Sequence, residues 1–387
     1  MSEGMKKEKR KPAGLKSSAE KRAKVDDNVR MVRDFEDERT ATVVLKNVEG
    51  ENVNEVDEIE EIYNNALEEV EDDKEKAVML LSGTVHECNR IIQTNDGAKD
   101  KQPLPYKLYY LYGISLFDLS ELDEPEDALE YLKLSLERLS QAKDIHETQV
   151  CEEKDTRIYV GLGKVNLSIA RKAEKEKDVI ESLNSSLMYF KTAFDALEAK
   201  ISRLKSNEEQ KKEYTTEIYN IIDLLLLYCE NNPIFEAIEC CSEFITQKLE
   251  ELKKTTNTYE PHFFSAQLQW CLALYYLNLL DQSATDDDKD EGHDEHQRLA
   301  LEKLEMAEKH LNSCVKSAAD PASLPRETYI MFGEVLLNKG NLLSDSGNTE
   351  EEQYRLAAKK FKMAIDISAG DTDGLPEYVL EFVEEWL

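Results

Sequence analysis

Apolar residues recur along this chain at the three-and-four spacing of an amphipathic helix, and the segments that carry them come in pairs. The spacing predicts helical pairs at about 55–93, 105–141, 156–203, 213–253, 260–315 and 327–368. Within the second member of a pair, a small residue, a large apolar one and another small one stand at fixed offsets. Ala357-x3-Phe361-x2-Ala364 is the clearest copy. Ala77-x3-Leu81-x2-Thr84 and Ala128-x3-Leu132-x2-Ser135 repeat it, and Ala237-x3-Cys241-x2-Phe244 departs at its last position. The fifth pair carries Ala300, Leu304, Ala307 and Leu311. First members carry their own stripes: Tyr109, Tyr112, Gly113 and Leu116; Tyr159, Leu162 and Gly163; Leu268, Leu272 and Tyr275; Leu336, Gly340 and Leu343. In the fourth pair Tyr219, Ile222 and Leu226 form the stripe, and Asp223 stands where the others have a small residue.

Small residues let helices approach closely, and the large one fills the gap between hairpins. That arrangement marks the second helix of a tetratricopeptide-type hairpin. A single hairpin cannot bury its apolar stripe alone, so it needs a stacked neighbour. The expected fold is therefore all-α, an irregular tetratricopeptide-like helical-hairpin solenoid over residues 55–387, since the hairpin lengths vary too widely for a regular repeat. An acidic loop is expected at 281–297, inside the fifth pair. Residues 376–387 read as one helix opened by Pro376, with Tyr378, Val379, Phe382, Val383 and Trp386 on one face, capping the last hairpin. Residues 31–54 read as an extended linker with a β-branched stretch at 40–48. Residues 1–30 are polar and charged enough to be expected as a disordered basic tail.

Charge changes the picture. The 387 residues carry a formal net charge of −32, and its sign is segregated. Residues 1–24 hold nine Lys/Arg against three Glu, a balance of +6, which leaves −38 on the rest. A body that acidic repels phosphate backbones and favours basic protein partners, so direct nucleic-acid binding by the folded part is not expected. No apolar run is long enough to span a bilayer, and the first residues lack the apolar core of a secretory signal. The seven cysteines, at 88, 151, 229, 240, 241, 271 and 314, form no Cys-x2-Cys pair and fall mostly within helical apolar patterns. They read as reduced core residues of an intracellular protein.

Candidate chemistry is sparse. The run from Asp286 to His296 invites a calcium-loop reading, but registered on Asp286 it has Glu291 where glycine is needed and Gln297 where glutamate is needed. It reads as a solvated loop. Gly161-Leu162-Gly163 lacks the third glycine and the preceding strand of a dinucleotide site. The six histidines show no motif tying them to a nucleophile. No catalytic constellation and no cofactor are expected.

Two features point to binding. Lys6, Lys7, Lys9, Arg10 and Lys11 form one basic cluster, and Lys21, Arg22 and Lys24 form another, with nine residues between them. This is the pattern of a two-part nuclear import signal, read by the acidic grooves of an import receptor. Tyrosines are concentrated in helices, and Tyr109, Tyr112, Tyr159, Tyr219 and Tyr275 are the candidates to line a partner-binding groove as rigid aromatic anchors.

The basic opening Lys-Arg-Lys-Pro-Ala-Gly-Leu at 9–15, followed by Lys-Arg-Ala-Lys at 21–24 and then an acidic repeat body, resembles the fungal enhancer of translation termination family. That family includes the fission-yeast negative regulator of a prolyl-hydroxylase-like oxygenase. Lys11 is an insertion relative to the family's opening, and Ala13 stands where it favours leucine. The resemblance implies a non-catalytic nuclear adaptor or regulator, with the cytoplasm as a second compartment. It implies binding to a prolyl-hydroxylase-like 2-oxoglutarate oxygenase and an influence on translation termination and hypoxic gene expression. Its partners would be that oxygenase, an import receptor and translation-termination or ribosome-associated proteins. The alternative expectation is an acidic tetratricopeptide-like chaperone or assembly factor for basic proteins such as ribosomal proteins.

Overall fold

The structure is a computed structural model that describes residues 54–122, 128–149, 153–204, 207–256, 258–283, 292–343, 348–368 and 375–387. Thirteen α-helices and one short 3-10 turn, and no strand, occur among these residues. The eight tail cations singled out above, the 40–48 stretch, Cys151 and residues 286–291 of the acidic run lie outside the described residues. The chain divides into two compact units, residues 1–128 and 129–387.

The first unit contains α1 (Glu55–Glu69), α2 (Lys74–Gly97) and α3 (Tyr106–Leu122). Asn54 and Asp73 begin α1 and α2 because their side chains accept hydrogen bonds from otherwise unpaired first-turn amides. Glu55, Asp57 and Glu58 then place negative charge at the positive end of the α1 dipole. The three helices pack on one another. Ala77, Leu81 and Thr84, the small–large–small triplet of α2, are all fully buried. The Thr84 hydroxyl donates to the Leu80 carbonyl, which satisfies it inside the apolar layer. The Tyr63 hydroxyl donates to Asp118 at 2.9 Å and ties α1 to α3.

The second unit opens with α4 (Ala128–Thr148) and continues through α5 (Thr156–Lys172), α6 (Glu176–Arg203), α7 (Glu208–Glu230), α8 (Phe235–Thr255), α9 (Glu260–Ser283), α10 (His293–Ser317), α11 (Arg326–Leu342), α12 (Asn348–Ile367) and α13 (Glu377–Trp386). From α5 onward, consecutive helices pair as hairpins: α5 with α6, α7 with α8, α9 with α10 and α11 with α12. Each hairpin also packs on the next, through α6–α8, α7–α9 and α10–α11 contacts. One apolar core runs through α5 to α9, and a second through α9 to α13.

Close approach within a hairpin rests on glycine. A methyl group at Gly163 of α5 would sit 2.4 Å from the Phe190 ring of α6, and one at Gly333 of α11 would sit 2.2 Å from the Phe361 ring of α12. Each ring lies on the backbone of its partner helix, and both are fully buried. The third hairpin thus has its own triplet, Ser186-x3-Phe190-x2-Ala193. Ser186 serves as the small residue because its hydroxyl donates to the Gly163 carbonyl at 2.8 Å. Gly340 has the same relation to Tyr354, at 2.5 Å.

The acidic stretch 281–297 differs from expectation at both ends. α9 extends to Ser283 and α10 starts at His293. Asp294 and Glu295 lie in the first turn of α10, where carboxylates complement the helix dipole. α13 lies on α12. Val379 is fully buried, Phe382 packs at 5.8 Å from Phe361, and Trp386 meets Tyr354 at 5.1 Å, so this face of α13 lies against α12. Tyr378 sits at the margin of that face, 41% exposed, with its hydroxyl donating to Glu334.

Five of the six described cysteines are buried, and Cys240 is half-buried. Cys229 of α7 and Cys241 of α8 lie side by side, with Cys271 of α9 beside Cys229. Burial raises the pKa of Cys271 to about 12.

Candidate protein-binding surface

The five tyrosines fall in both units of the chain. Tyr109 and Tyr112 belong to the first unit, and Tyr159, Tyr219 and Tyr275 to the second. Tyr112 is 1% exposed and Tyr159 is 3% exposed, so both are core residues and not partner anchors. The reason is positional: each sits on the stripe of its helix that meets the neighbouring helix. The Tyr159 hydroxyl donates to Glu147 at 2.9 Å, and its burial is thereby satisfied within the chain. Tyr109 is half-buried. Tyr219 is half-buried and stacks on Phe264 at 5.2 Å, near the start of α9. Tyr275 stands towards the other end of α9, against Phe235 at 5.1 Å and Tyr276 at 5.6 Å. Tyr276 in turn approaches the His296 ring at 6.3 Å.

A second group of titratable side chains gathers where α8, α9 and α10 meet. Burial, then Lys253, His262 and Lys309, lower the pKa of His310 to about 4, with Glu250 opposing them. His262 is lowered for the same leading reason, burial, and then by Lys253. Among the described residues no group of three or more His, Cys, Asp or Glu is placed to hold a metal ion, and no helix is long and apolar enough to cross a membrane.

The surface feature with a shape of its own lies between α6 and α8. Towards their C-terminal halves the two helices are sealed: Phe194 stacks on Phe244 at 5.7 Å, and the buried Lys248 pairs with Glu198 and Glu251. Towards their N-terminal ends lies an open hollow of about 760 Å³, lined mostly by α6, with the short Asn184 and Ser185 among its residues, and by Glu236 from α8. Ile180 and Met188 give it an apolar floor, and Met188 is 55% exposed. Glu176, Glu181 and Glu236 stand around it, with Lys177 as the single cation of the lining. Periodicity alone hides this site, because its residues come from two helices and each reads singly as part of a solvated face.

No family model matches the chain. Among curated proteins, enhancer of translation termination 1 of Candida albicans strain WO-1 is 26% identical over 183 residues, which is 44% of this chain and 40% of that protein. The chain resembles the enhancer of translation termination proteins. The counterpart in strain SC5314 is 25% identical over 138 residues, 33% of this chain and 31% of that one. The match thus spans less than half the length of these curated relatives. Among solved structures, Nro1, a hypoxic regulator of sterol synthesis and nuclear import adaptor, aligns over 86% of this chain and 93% of its own, with 18% identity and a TM-score of 0.44. Another crystal form of the S. pombe import adaptor Nro1 aligns over 90% and 99%, with 18% identity and a TM-score of 0.45.

Proposed function

We propose that this chain is a non-catalytic nuclear adaptor that holds protein partners on the outer faces of its helical hairpins. The observation that carries the reading is the likeness to enhancer of translation termination proteins over 183 residues of a hairpin scaffold. Such scaffolds act by presenting extended surfaces to other chains. The finer reading takes the partner to be a prolyl-hydroxylase-like 2-oxoglutarate oxygenase and the outcome to be control of translation termination and hypoxic gene expression. Lys6, Lys7, Lys9, Arg10, Lys11, Lys21, Arg22 and Lys24 then act as the signal that brings the chain, and a partner with it, to an import receptor. Residues 1–30 serve as the import tail and 55–387 as the binding body, with the nucleus as the main compartment.

A second reading rests on charge. The −38 borne outside residues 1–24 suits a chaperone that shields basic proteins, ribosomal proteins among them, before assembly. Affinity purification of the tagged full chain, followed by mass spectrometry, separates the two. An oxygenase as the main stoichiometric partner supports the adaptor. Ribosomal proteins or histones in its place support the chaperone and overturn the adaptor.

A further inference from the structure

The hollow between α6 and α8 combines three properties that rarely meet on a solvated surface. Its floor is apolar, with Ile180 and the half-exposed Met188. Methionine is a soft, adaptable contact for an aliphatic side chain. Its rim is acidic, with Glu176, Glu181 and Glu236. Glu239 and Glu243 extend the same exposed face one and two turns along α8. Among the described residues, none of these five glutamates takes part in an ion pair, although many other carboxylates of the chain do. It lies at a junction that is fixed further along, where the Phe194–Phe244 stack and the Lys248–Glu198 pair join α6 to α8. The volume of about 760 Å³ fits a few side chains and falls within the range of ligand pockets.

We infer that this hollow is a docking site for a basic segment of a protein partner, one with an aliphatic residue set between Lys or Arg side chains. The aliphatic residue enters between Ile180 and Met188. The flanking cations reach Glu181 and Glu236, which face the hollow from opposite helices, and further cations meet Glu239 and Glu243. Charge complementarity sets the choice of occupant: five carboxylates against Lys177 reject an acidic segment and leave an uncharged one without partners for the rim. This inference rests on the reading of the chain as a protein-binding adaptor and locates one of its binding faces.

The test measures fluorescence anisotropy of a labelled amphipathic lysine–leucine peptide with the full chain. Controls are the same peptide with serine in place of leucine and with glutamate in place of lysine. The lysine–leucine peptide should bind, and both controls should bind more weakly. Met188→Asp should weaken binding about tenfold or more, and so should the pair Glu181→Lys and Glu236→Lys. All three positions are exposed, so the melting temperature should stay unchanged. Asn184→Trp gives a second approach, because it fills the hollow from an exposed position without altering charge, and it too should weaken binding. Equal binding by wild type and variants would place the peptide elsewhere on the acidic body and overturn the inference. Equal binding of the serine peptide would do the same, since charge alone would then suffice. A partner captured equally by wild type and Met188→Asp, with no peptide bound by either, would refute the hollow and leave the adaptor standing. Peptide binding that responds to the variants, with no oxygenase among the captured proteins, would keep the hollow and remove the adaptor's proposed partner.

Discussion

Replacing Gly163 by alanine tests the packing logic of the hairpins at its tightest point. The new methyl carbon would lie 2.4, 2.6 and 2.8 Å from three carbons of the Phe190 ring. Non-bonded carbons are comfortable at about 3.5–4.0 Å, so ring or helix must yield by about 1 Å. Phe190 is fully buried, between α5 and the core that runs on to α9, and has no free space to enter. Overpacking of this kind costs about 1–3 kcal/mol. Alanine recovers about 0.8–1 kcal/mol of helix propensity, so the net loss should be between about 0 and 2 kcal/mol. Gly83, inside α2, is the internal comparison: a methyl there meets nothing within 4 Å. Gly83→Ala should therefore stabilise its own unit by about 0.5–1 kcal/mol. Urea unfolding followed by far-UV circular dichroism reads both changes as opposite shifts of midpoint. In a Phe190→Leu background the cost of Gly163→Ala should shrink, because the opposing ring is gone. A Gly163→Ala protein stabilised as much as Gly83→Ala would show that α5 and α6 are further apart than described and would refute the reasoning.

Other outcomes follow from single contacts. Phe361→Ala should cost about 3–5 kcal/mol, read by thermal or urea unfolding, because the ring is fully buried against α11 and α13. His310 has its pKa depressed to about 4 from an ordinary value near 6.5, so the unfolded chain takes up its proton first. Its contribution to stability is complete above about pH 6.5 and is lost as pH falls from there towards 4; His310→Gln should flatten that part of a stability–pH curve. Changing Lys9, Arg10, Lys11, Lys21 and Arg22 together to alanine should lower nuclear accumulation in fluorescence imaging without altering the melting temperature. Unchanged accumulation would remove those residues from any import role.

The hairpin repeat was legible because its defining residues are chemically extreme. Ala77, Leu81, Ala357, Phe361 and Ala364 are small or large apolar residues at positions where nothing else fits, and all are fully buried. The copy in α6 rests on Ser186, whose hydroxyl is absorbed by the Gly163 carbonyl, a partner 23 residues away that sequence spacing does not reveal. In α8 the final position is Phe244, which reads as a departure until its stack on Phe194 is seen. The tyrosines were ambiguous for a different reason. A phenol suits both a core and a groove, and only the neighbouring helix decides that Tyr112 and Tyr159 are enclosed while Tyr275 is half open. The hollow between α6 and α8 was invisible, since residues 180, 184, 185 and 188 of α6 and Glu236 of α8 line one site only when the two helices are placed side by side.

The neighbouring thiols of Cys229, Cys241 and Cys271 give the second unit an internal clock. Each is enclosed, so a thiol-reactive dye cannot reach them in the closed state. In a chain with Cys88, Cys151, Cys240 and Cys314 replaced by serine, every labelling event must await separation of α7 from α8 or α9. The labelling half-life then reports how often that junction breathes, and it converts to an opening free energy when reclosing outpaces the dye. The α6–α8 seam abuts the same junction, so a ligand that grips both helices would lengthen the half-life, and occupancy could be followed by reaction time alone.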